Sequence, residues 1–331
     1  MSELLWKAGV LLRIIRWRLF SHRPIVLSHF ITKACNAKCA ICNFWKLPKE
    51  PELSTQEIFR ILEEAQELGF VSYVCWGGEP LLRQDLPAIL DFSKELGFHN
   101  TVITNGSLLS HFATKLTSMD LCIVSVDFPD KRHDELRGIN NLLCKVLNGI
   151  NQMKRHSKIL LNCVVSKLNL QDLGAMVNFA KQLGVNIAFE PIVKIPKYNE
   201  ALCLTLREQK EAFEYLVELK KTDQVINNSL YYLQLLARNE LPRYTCHSPK
   251  VTLFLGPDGQ IQRCGMPNHD FGSAQNETLA RILNSYTYAA HVQAAENCSK
   301  CTLSFAVEPS LLYSLDRSVV LNFLVNTVTA Y

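Results

Sequence analysis

Between residues 24 and 190, short runs rich in Val, Ile, Leu, Cys and Phe alternate with longer stretches whose apolar positions recur at helical spacing. That alternation predicts strands joined by crossover helices, and hence a parallel sheet. Six such units are expected, with strands at residues 25–32, 71–76, 100–104, 121–126, 159–165 and 186–190. Six are too few to close an eight-stranded barrel, so the α/β fold predicted is a partial (β/α)6 barrel over residues 24–240. The segment Leu53-Ser54-Thr55-Gln56-Glu57 offers a helix cap with an acidic first turn, and Leu68-Gly69 and Leu96-Gly97 end two helices on glycine.

Both ends of the chain leave this pattern. After residue 240, Gly256-Pro257-Asp258-Gly259 signals a hairpin with cysteines on either side, which sets off a small cysteine-rich α+β domain at 241–302. Beyond Cys301, Leu311, Leu312, Leu315, Val319, Val320, Phe323, Leu324 and Val328 predict one terminal helix within 303–331. Residues 1–23 predict an amphipathic helix. Leu4, Leu5, Ala8, Leu11, Leu12, Ile15 and Leu19 share a face bordered by Lys7, Arg16 and Arg18, with Trp6 and Trp17 further round. The longest uncharged run after Lys7 covers only residues 8–12, too short to span a membrane or to serve as a cleaved signal. Two readings stay open for this helix: it lies on an anionic membrane surface, or it packs on the domain or a second subunit. No solenoid repeat or low-complexity tract is visible.

Composition narrows the classes. The chain has 331 residues, 48% of them hydrophobic and 20% charged, which suits one large domain with an appendage. The net charge of +4 is concentrated at the start, where Lys7, Arg13, Arg16, Arg18 and Arg23 face a single acid, Glu3, within residues 1–24. A nucleic-acid binder would spread a basic stripe over its folded face, so no nucleic-acid partner is expected. Twelve cysteines without a signal peptide point to a reducing compartment, so the expected location is cytoplasmic, with a peripheral position on the membrane face as one reading of the helix.

Cys35, Cys39 and Cys42 stand on one loop directly after the first strand, at the C-terminal mouth of the sheet. Iron–sulfur clusters normally take four thiolates, so three leave one iron open to a ligand. A zinc loop would want a fourth Cys or His close by, and none lies in this loop. Gly77-Gly78-Glu79-Pro80 follows the second strand, Thr104-Asn105-Gly106 ends the third, and Ser125-Val126-Asp127 ends the fourth. Each is an ordinary turn or cap in isolation, and Arg137-Gly138 could be a solvated arginine. Asn162, Glu190 and Lys194 come from the fifth and sixth strands and are candidates for the cavity.

In this order, the C-x3-C-x2-C loop and its followers resemble the radical S-adenosylmethionine (SAM) superfamily. The resemblance implies a 4Fe-4S cluster on Cys35, Cys39 and Cys42 whose open iron chelates SAM. An electron supplied by a reductant such as flavodoxin or ferredoxin cleaves SAM to a 5′-deoxyadenosyl radical, which takes hydrogen from a substrate. It implies that Gly77, Gly78, Glu79 and Pro80 meet the SAM amino group, with Glu79 accepting from the ammonium. Asn105, Ser125 and Asp127 would lie near its ribose and carboxylate, and Arg137 would face the carboxylate or the substrate. One departure stands out: Ile41 occupies a position usually aromatic in the family, so adenine packing falls to Phe44 or to aliphatic groups. Cys246, Cys264, Cys298 and Cys301 resemble the start of the SPASM pattern. No cysteine follows Cys301, so the shorter single-cluster twitch form is expected, with a second 4Fe-4S cluster as auxiliary and structural zinc as the alternative.

Cys75, Cys122, Cys163, Cys144 and Cys203 are expected as free thiols, Cys75 being the one to test for a role. The expected activity is SAM-dependent hydrogen abstraction from a small molecule, with a lipid, isoprenoid or other membrane-associated substrate suggested by the N-terminal helix. The alternatives are a peptide or protein maturase, and a noncatalytic iron–sulfur or zinc protein.

Overall fold

The computed structural model describes residues 3–20, 23–48, 51–238, 244–264, 271–298 and 301–325. Helix α1 (Glu3–Phe20) leads into β1 (Val26–Thr32), α2 (Thr55–Glu67), β2 (Ser72–Gly77), α3 (Leu86–Glu95), β3 (His99–Thr104), α4 (Leu109–Phe112) and β4 (Leu121–Ser125). Then come α5 (Arg132–Arg137), α6 (Leu142–Met153), β5 (Lys158–Val165), α7 (Leu173–Leu183), β6 (Asn186–Pro191) and α8 (Leu206–Thr222). The C-terminal part holds α9 (Leu230–Leu236), α10 (Ser248–Val251), β7 (Thr252–Leu255), β8 (Ile261–Gln262), α11 (Leu279–Leu283), α12 (Tyr286–Glu296), α13 (Ser304–Tyr313) and α14 (Arg317–Val325). All six barrel strands lie within one residue of the bounds expected from the hydrophobic runs.

The sheet order is β6-β5-β4-β3-β2-β1-β7-β8, with β1 to β6 parallel. All seven positions of β1 are buried, as they must be in a strand covered on both faces. The hairpin was expected inside a separate domain. Instead β7 pairs in parallel with β1, from Val26 opposite Thr252 to His29 opposite Leu255, and β8 turns back antiparallel beyond it. Backbone donors and acceptors on the open edge of β1 need partners, and β7 supplies them. The cysteine loop therefore leaves the sheet from a strand flanked on both sides, between β2 and β7.

Helix ends follow the sequence signals. Ser54 and Glu57 form a reciprocal cap on α2, and Gly69 and Gly97 take φ of +90° and +88° where α2 and α3 stop. One contiguous apolar core joins the helices to the outer face of the sheet and reaches Trp6 and Val10 of α1 and Phe323 of α14. Ile103, Leu121, Ile123, Leu160 and Ala188 form a smaller cluster on the opposite face, toward the lumen.

Two terminal expectations change. The terminal helix is two helices: Leu315 takes φ +58°, and Asp316 Oδ1 accepts from the backbone N–H of Ser318 and Val319, capping α14. Val328 lies outside the described residues. α1 packs on the domain, through the side opposite the leucine row. Trp6, Val10 and Ile14 are buried, Trp6 stacks on His99 at 4.3 Å, and Arg18 donates to the Tyr313 carbonyl at 2.9 Å. Aromatic rings bury more area than leucines, which decides the packed side. Among the described residues no helix is long and apolar enough to cross a membrane.

Candidate active site

The loop after β1 is held from three directions. The backbone N–H groups of Lys38 and Ala40 donate to the carbonyls of Arg137 and Leu136 at 3.0 and 2.9 Å. From the β6 side, Tyr198 Oη donates to the Cys39 carbonyl at 2.7 Å and Asn199 Nδ2 to the Ile41 carbonyl at 3.0 Å. Under it, Ala34 N–H donates to Thr32 Oγ1 at 3.0 Å. Cys35, Cys39 and Cys42 thus line one pocket together with Phe44, Trp45, Trp76, Gly77, Gly78, Thr104, Asn105, Ser125 and Arg137. Burial pushes the Cys35 thiol up to about 11, with help from Glu79, Cys39 and Cys42, and it raises Cys42 as well. Thiols that crowd and oppose one another's ionisation suit a cationic centre that binds thiolate.

Gly78 is glycine because nothing larger fits. A Cβ there would stand 2.2 Å from the Ala34 carbonyl oxygen, and one at Gly77 would stand 2.5 Å from that of Thr32. The tight approach is sealed by backbone bonds from Gly78 N–H to the Thr32 carbonyl and from Glu79 N–H to the Ala34 carbonyl, both 2.8 Å. Glu79 itself is fully buried behind the pocket. Its Oε1 accepts from Thr104 Oγ1 at 2.6 Å and Leu81 N–H at 3.1 Å, its Oε2 from Asn105 N–H at 2.7 Å. Burial pushes its carboxyl up to about 7 against these three donors. The carboxylate expected to face an ammonium is therefore committed to the protein and ties β2 to the end of β3. Pro80 starts a buried 3-10 turn below the pocket. Asn105 Nδ2 donates to Asn36 Oδ1 at 2.8 Å, which joins the same β3 terminus to the cysteine loop.

Asp127 also sits behind the wall, with no exposed surface. Its Oδ2 accepts from Arg137 Nε at 2.7 Å and its Oδ1 from Val164 N–H at 3.0 Å. His133 packs beside it and stays neutral, since burial pushes its pKa down to about 4 and Nδ1 accepts from the Asp127 N–H. Asp127 aims Arg137, whose Nη1 reaches within 4.0 Å of Cys39 Sγ. Ser125 and Arg137 reach the pocket and Asp127 does not. Ile41 packs in a small cluster with Phe128 and Leu136, outside the pocket. The aromatic surface comes from Phe44, Trp45 and Trp76, with Phe30 stacked between Phe44 and Trp76 at 5.2 and 4.9 Å. Trp45, Trp76, Tyr198 and Asn199 escaped sequence reasoning. The first two were signalled by their places beside Cys42 and Gly77, whereas Tyr198 and Asn199 lie in a loop with no motif.

A second cavity of about 180 Å³ occupies the barrel lumen. Val26, Val74, Ile123, Leu160, Ala188 and Phe254 are among its apolar walls, and Ser28, Asn162, Glu190, Asn227, Asn228, Thr252, Ser304 and Glu308 are its polar groups. Trp76 and Ile103 border both this lumen and the cysteine pocket. Lys194, a candidate for the cavity, instead pairs with Glu200 at 3.2 Å and is largely exposed.

Cys246, Cys264, Cys298 and Cys301 converge at the far side of the lumen. Burial raises the Cys264 thiol to about 12, with Cys246, Cys301 and Cys298 each adding, and Cys301 to about 11 with help from Cys246, Glu190 and Cys298. Glu190 accepts from Ser304 Oγ, so one carboxylate adjoins both the lumen and this thiol group. Among the described residues no three Cys, His, Asp or Glu side chains are drawn together tightly enough for a single metal ion. Four thiols brought together are a donor set that serves an iron–sulfur cluster and tetrahedral zinc alike. Cys75, Cys122 and Cys163 are buried outside either pocket, Cys144 is exposed and Cys203 half-buried. Cys75 shares the outer face of β2 with Tyr73, and burial raises its thiol to about 12, which disfavours a reactive role.

Residues 30–180 match the family described as the Radical SAM superfamily, and residues 246–302 match an iron-sulfur cluster-binding domain, SPASM. The Fe-coproporphyrin III synthase of Methanosarcina barkeri is 27% identical over 205 residues, which cover 59% of this chain and 51% of that protein, so the chain spans about half the length of that relative. The GTP 3′,8-cyclase of Campylobacter jejuni is 30% identical over 260 residues, 74% of each chain. Among solved structures, Streptococcus suis SuiB bound to S-adenosylmethionine superposes with a TM-score of 0.70 at 16% identity, covering 92% of this chain and 78% of SuiB. The anSMEcpe structure with bound AdoMet and Cp18Cys peptide gives 0.67 at 17% identity, over 90% and 99%. At these identities the two structures share the fold.

Proposed function

The chain belongs to the radical SAM superfamily, and from that premise we propose that it takes hydrogen from an apolar, membrane-associated small molecule, such as a lipid or isoprenoid, whose end enters the barrel lumen. It is an enzyme with SAM and iron–sulfur cofactors, and it needs a substrate and a reductant. When bound, the cluster supplies the electron that splits SAM to methionine and a 5′-deoxyadenosyl radical. Cys35, Cys39 and Cys42 would hold it. Gly77 and Gly78 expose backbone to the amino-acid end of SAM, and Ser125 and Asn105 offer polar contacts to the rest. Arg137 sets positive charge beside the Cys39 sulfur and the SAM carboxylate. Glu79 and Asp127 are positioning residues: one fixes the β2 and β3 termini, the other aims Arg137. Phe44, Trp45 and Trp76 supply flat apolar walls that exclude water. Cys246, Cys264, Cys298 and Cys301 would hold an auxiliary cluster, and beside it Glu190 can keep a proton in the lumen.

The observation that carries this reading is the shared wall: Trp76 and Ile103 border both cavities, so the two adjoin and only these side chains stand between a radical made in one and a substrate held in the other. Support for the substrate class comes from the lumen. Its apolar residues suit a hydrocarbon portion, and its eight polar residues suit a hydroxyl or amine carried beside it. At about 180 Å³ it is smaller than the roughly 300–1,000 Å³ of a site that encloses a whole drug-sized ligand, so only the reacting end is taken in. The same size also suits a single peptide side chain, which is the second reading. The test is anaerobic turnover with dithionite and SAM against deuterated isoprenoid alcohols and peptides. Deuterium found in 5′-deoxyadenosine with the isoprenoid supports the proposal. Transfer only from peptide overturns the substrate class, and no 5′-deoxyadenosine at all overturns the activity.

A further inference from the structure

α1 is apolar on two opposite sides. Trp6, Val10 and Ile14 are buried against the domain, whereas Leu5, Leu12 and Leu19 are 64%, 66% and 70% exposed, and Ile15 is 42% exposed. With Ala8, also exposed, these residues repeat every three or four positions and draw one straight row down the outward side of the helix. Arg13 and Arg16 are exposed beside the row, and residues 4–20 contain no Asp or Glu. α14, packed against α1, exposes Leu321 and Val325.

The geometry points to an anionic lipid surface as the partner of this face. α1 would lie in the plane of the interface with its leucines in the acyl boundary and its arginines at the headgroups, while Trp6, Val10 and Ile14 fasten the catalytic domain to it. Charge complementarity selects this occupant. A second copy packed through the same row would bring its own Arg13 and Arg16 to this face and no acid to meet them, since residues 4–20 contain no Asp or Glu. Protein interfaces also favour aromatic anchors at their centre, and both tryptophans of α1 are turned toward the domain. The inference deepens the reading of a membrane-associated substrate, but it rests on the two faces of one helix and not on the cluster chemistry.

The test is co-sedimentation of the full-length holoenzyme with phosphatidylcholine vesicles, with and without phosphatidylglycerol. Binding is expected with the anionic lipid, at least about 25-fold weaker without it, and reduced by salt. Leu12→Ser with Ile15→Ser should cut binding more than about tenfold, and Arg13→Gln with Arg16→Gln roughly 25-fold, at about fivefold per arginine. Iron content and 5′-deoxyadenosine formation should stay at the parent level in both variants, since all four side chains are exposed. Absence of vesicle binding, or binding indifferent to both pairs, overturns the inference. So does a light-scattering dimer that the Leu12→Ser, Ile15→Ser pair converts to monomer while vesicles capture neither form. Failure of the catalytic reading would show separately, as missing 5′-deoxyadenosine in the parent protein whatever its vesicle binding.

Discussion

The two cysteine sites are built in opposite ways. Cys35, Cys39 and Cys42 lie within eight residues on one loop after β1, so their spacing is set locally, even though Leu136, Arg137, Tyr198 and Asn199 hold that loop in place. Cys246, Cys264, Cys298 and Cys301 are gathered over 56 residues from the start of α10, the end of β8 and the turn after α12. Local spacing delivers the first set of thiols together, while the second set meets only when hairpin, sheet edge and helix are all docked. The difference also separates roles. A cluster held by the local trio would keep one coordination position for a ligand, whereas the assembled set would supply four thiolates beside Glu190.

The largest effect should come from breaking each site in turn. Cys42→Ala should reduce 5′-deoxyadenosine to background, whereas Cys301→Ala should remove about half the iron and leave SAM cleavage measurable. Iron analysis with product detection by mass spectrometry separates the two, and equal loss of SAM cleavage from both variants would erase the distinction. Next in size is Asp127→Ala, which strands the buried Arg137 and should cost about 3–5 kcal/mol of stability. Asp127→Asn should recover part of that, and a loss below about 1 kcal/mol in chemical denaturation would contradict the positioning role.

Glycine substitutions sharpen the contrast further. Gly78→Ala forces a methyl into the Ala34 carbonyl and should weaken SAM binding more than about tenfold while the second site keeps its iron. Gly259→Ala, at φ +80° in the hairpin turn, should cost about 1–2 kcal/mol and spare SAM binding. Calorimetric titration of SAM against both variants decides the matter. A further effect concerns pH. The Glu79 pKa is raised in the fold, to about 7, so the native state holds that proton more tightly than the unfolded chain. Its stabilising contribution is complete below the ordinary carboxylate pKa and is lost as pH rises toward 7, by about 1–3 kcal/mol. Subtracting the denaturation profile of Glu79→Gln from that of the parent should leave that slope, and a flat difference between pH 4 and 8 would refute it.

Much of the barrel was legible because hydrophobic period and strand length are local properties. The cysteine trio, Gly77, Gly78, Ser125 and Arg137 reach the pocket as expected, since each falls at the end of a strand and parallel strands end on the same side. Glu79 and Asp127 were located correctly in the chain and misplaced in space. A carboxylate in a motif invites a ligand, but here backbone N–H groups and Arg137 compete for it and win by proximity. Lys194 was assigned to the lumen because it follows a lumen strand, yet Glu200 draws it outward. The parallel pairing of β7 with β1 left no trace in either segment, because strand partnership is a long-range choice.

The sequence alone determined the alternation of strands and helices, the trio of thiols and the leucine-rich face of the first helix. Tertiary structure alone decided which side of that helix is buried, which carboxylates turn away from the pocket and how four distant cysteines meet. The reason is the range of the forces. Periodicity and capping act over a few residues and are written in order along the chain, whereas burial competes among all surfaces at once and is settled only when the largest of them have closed.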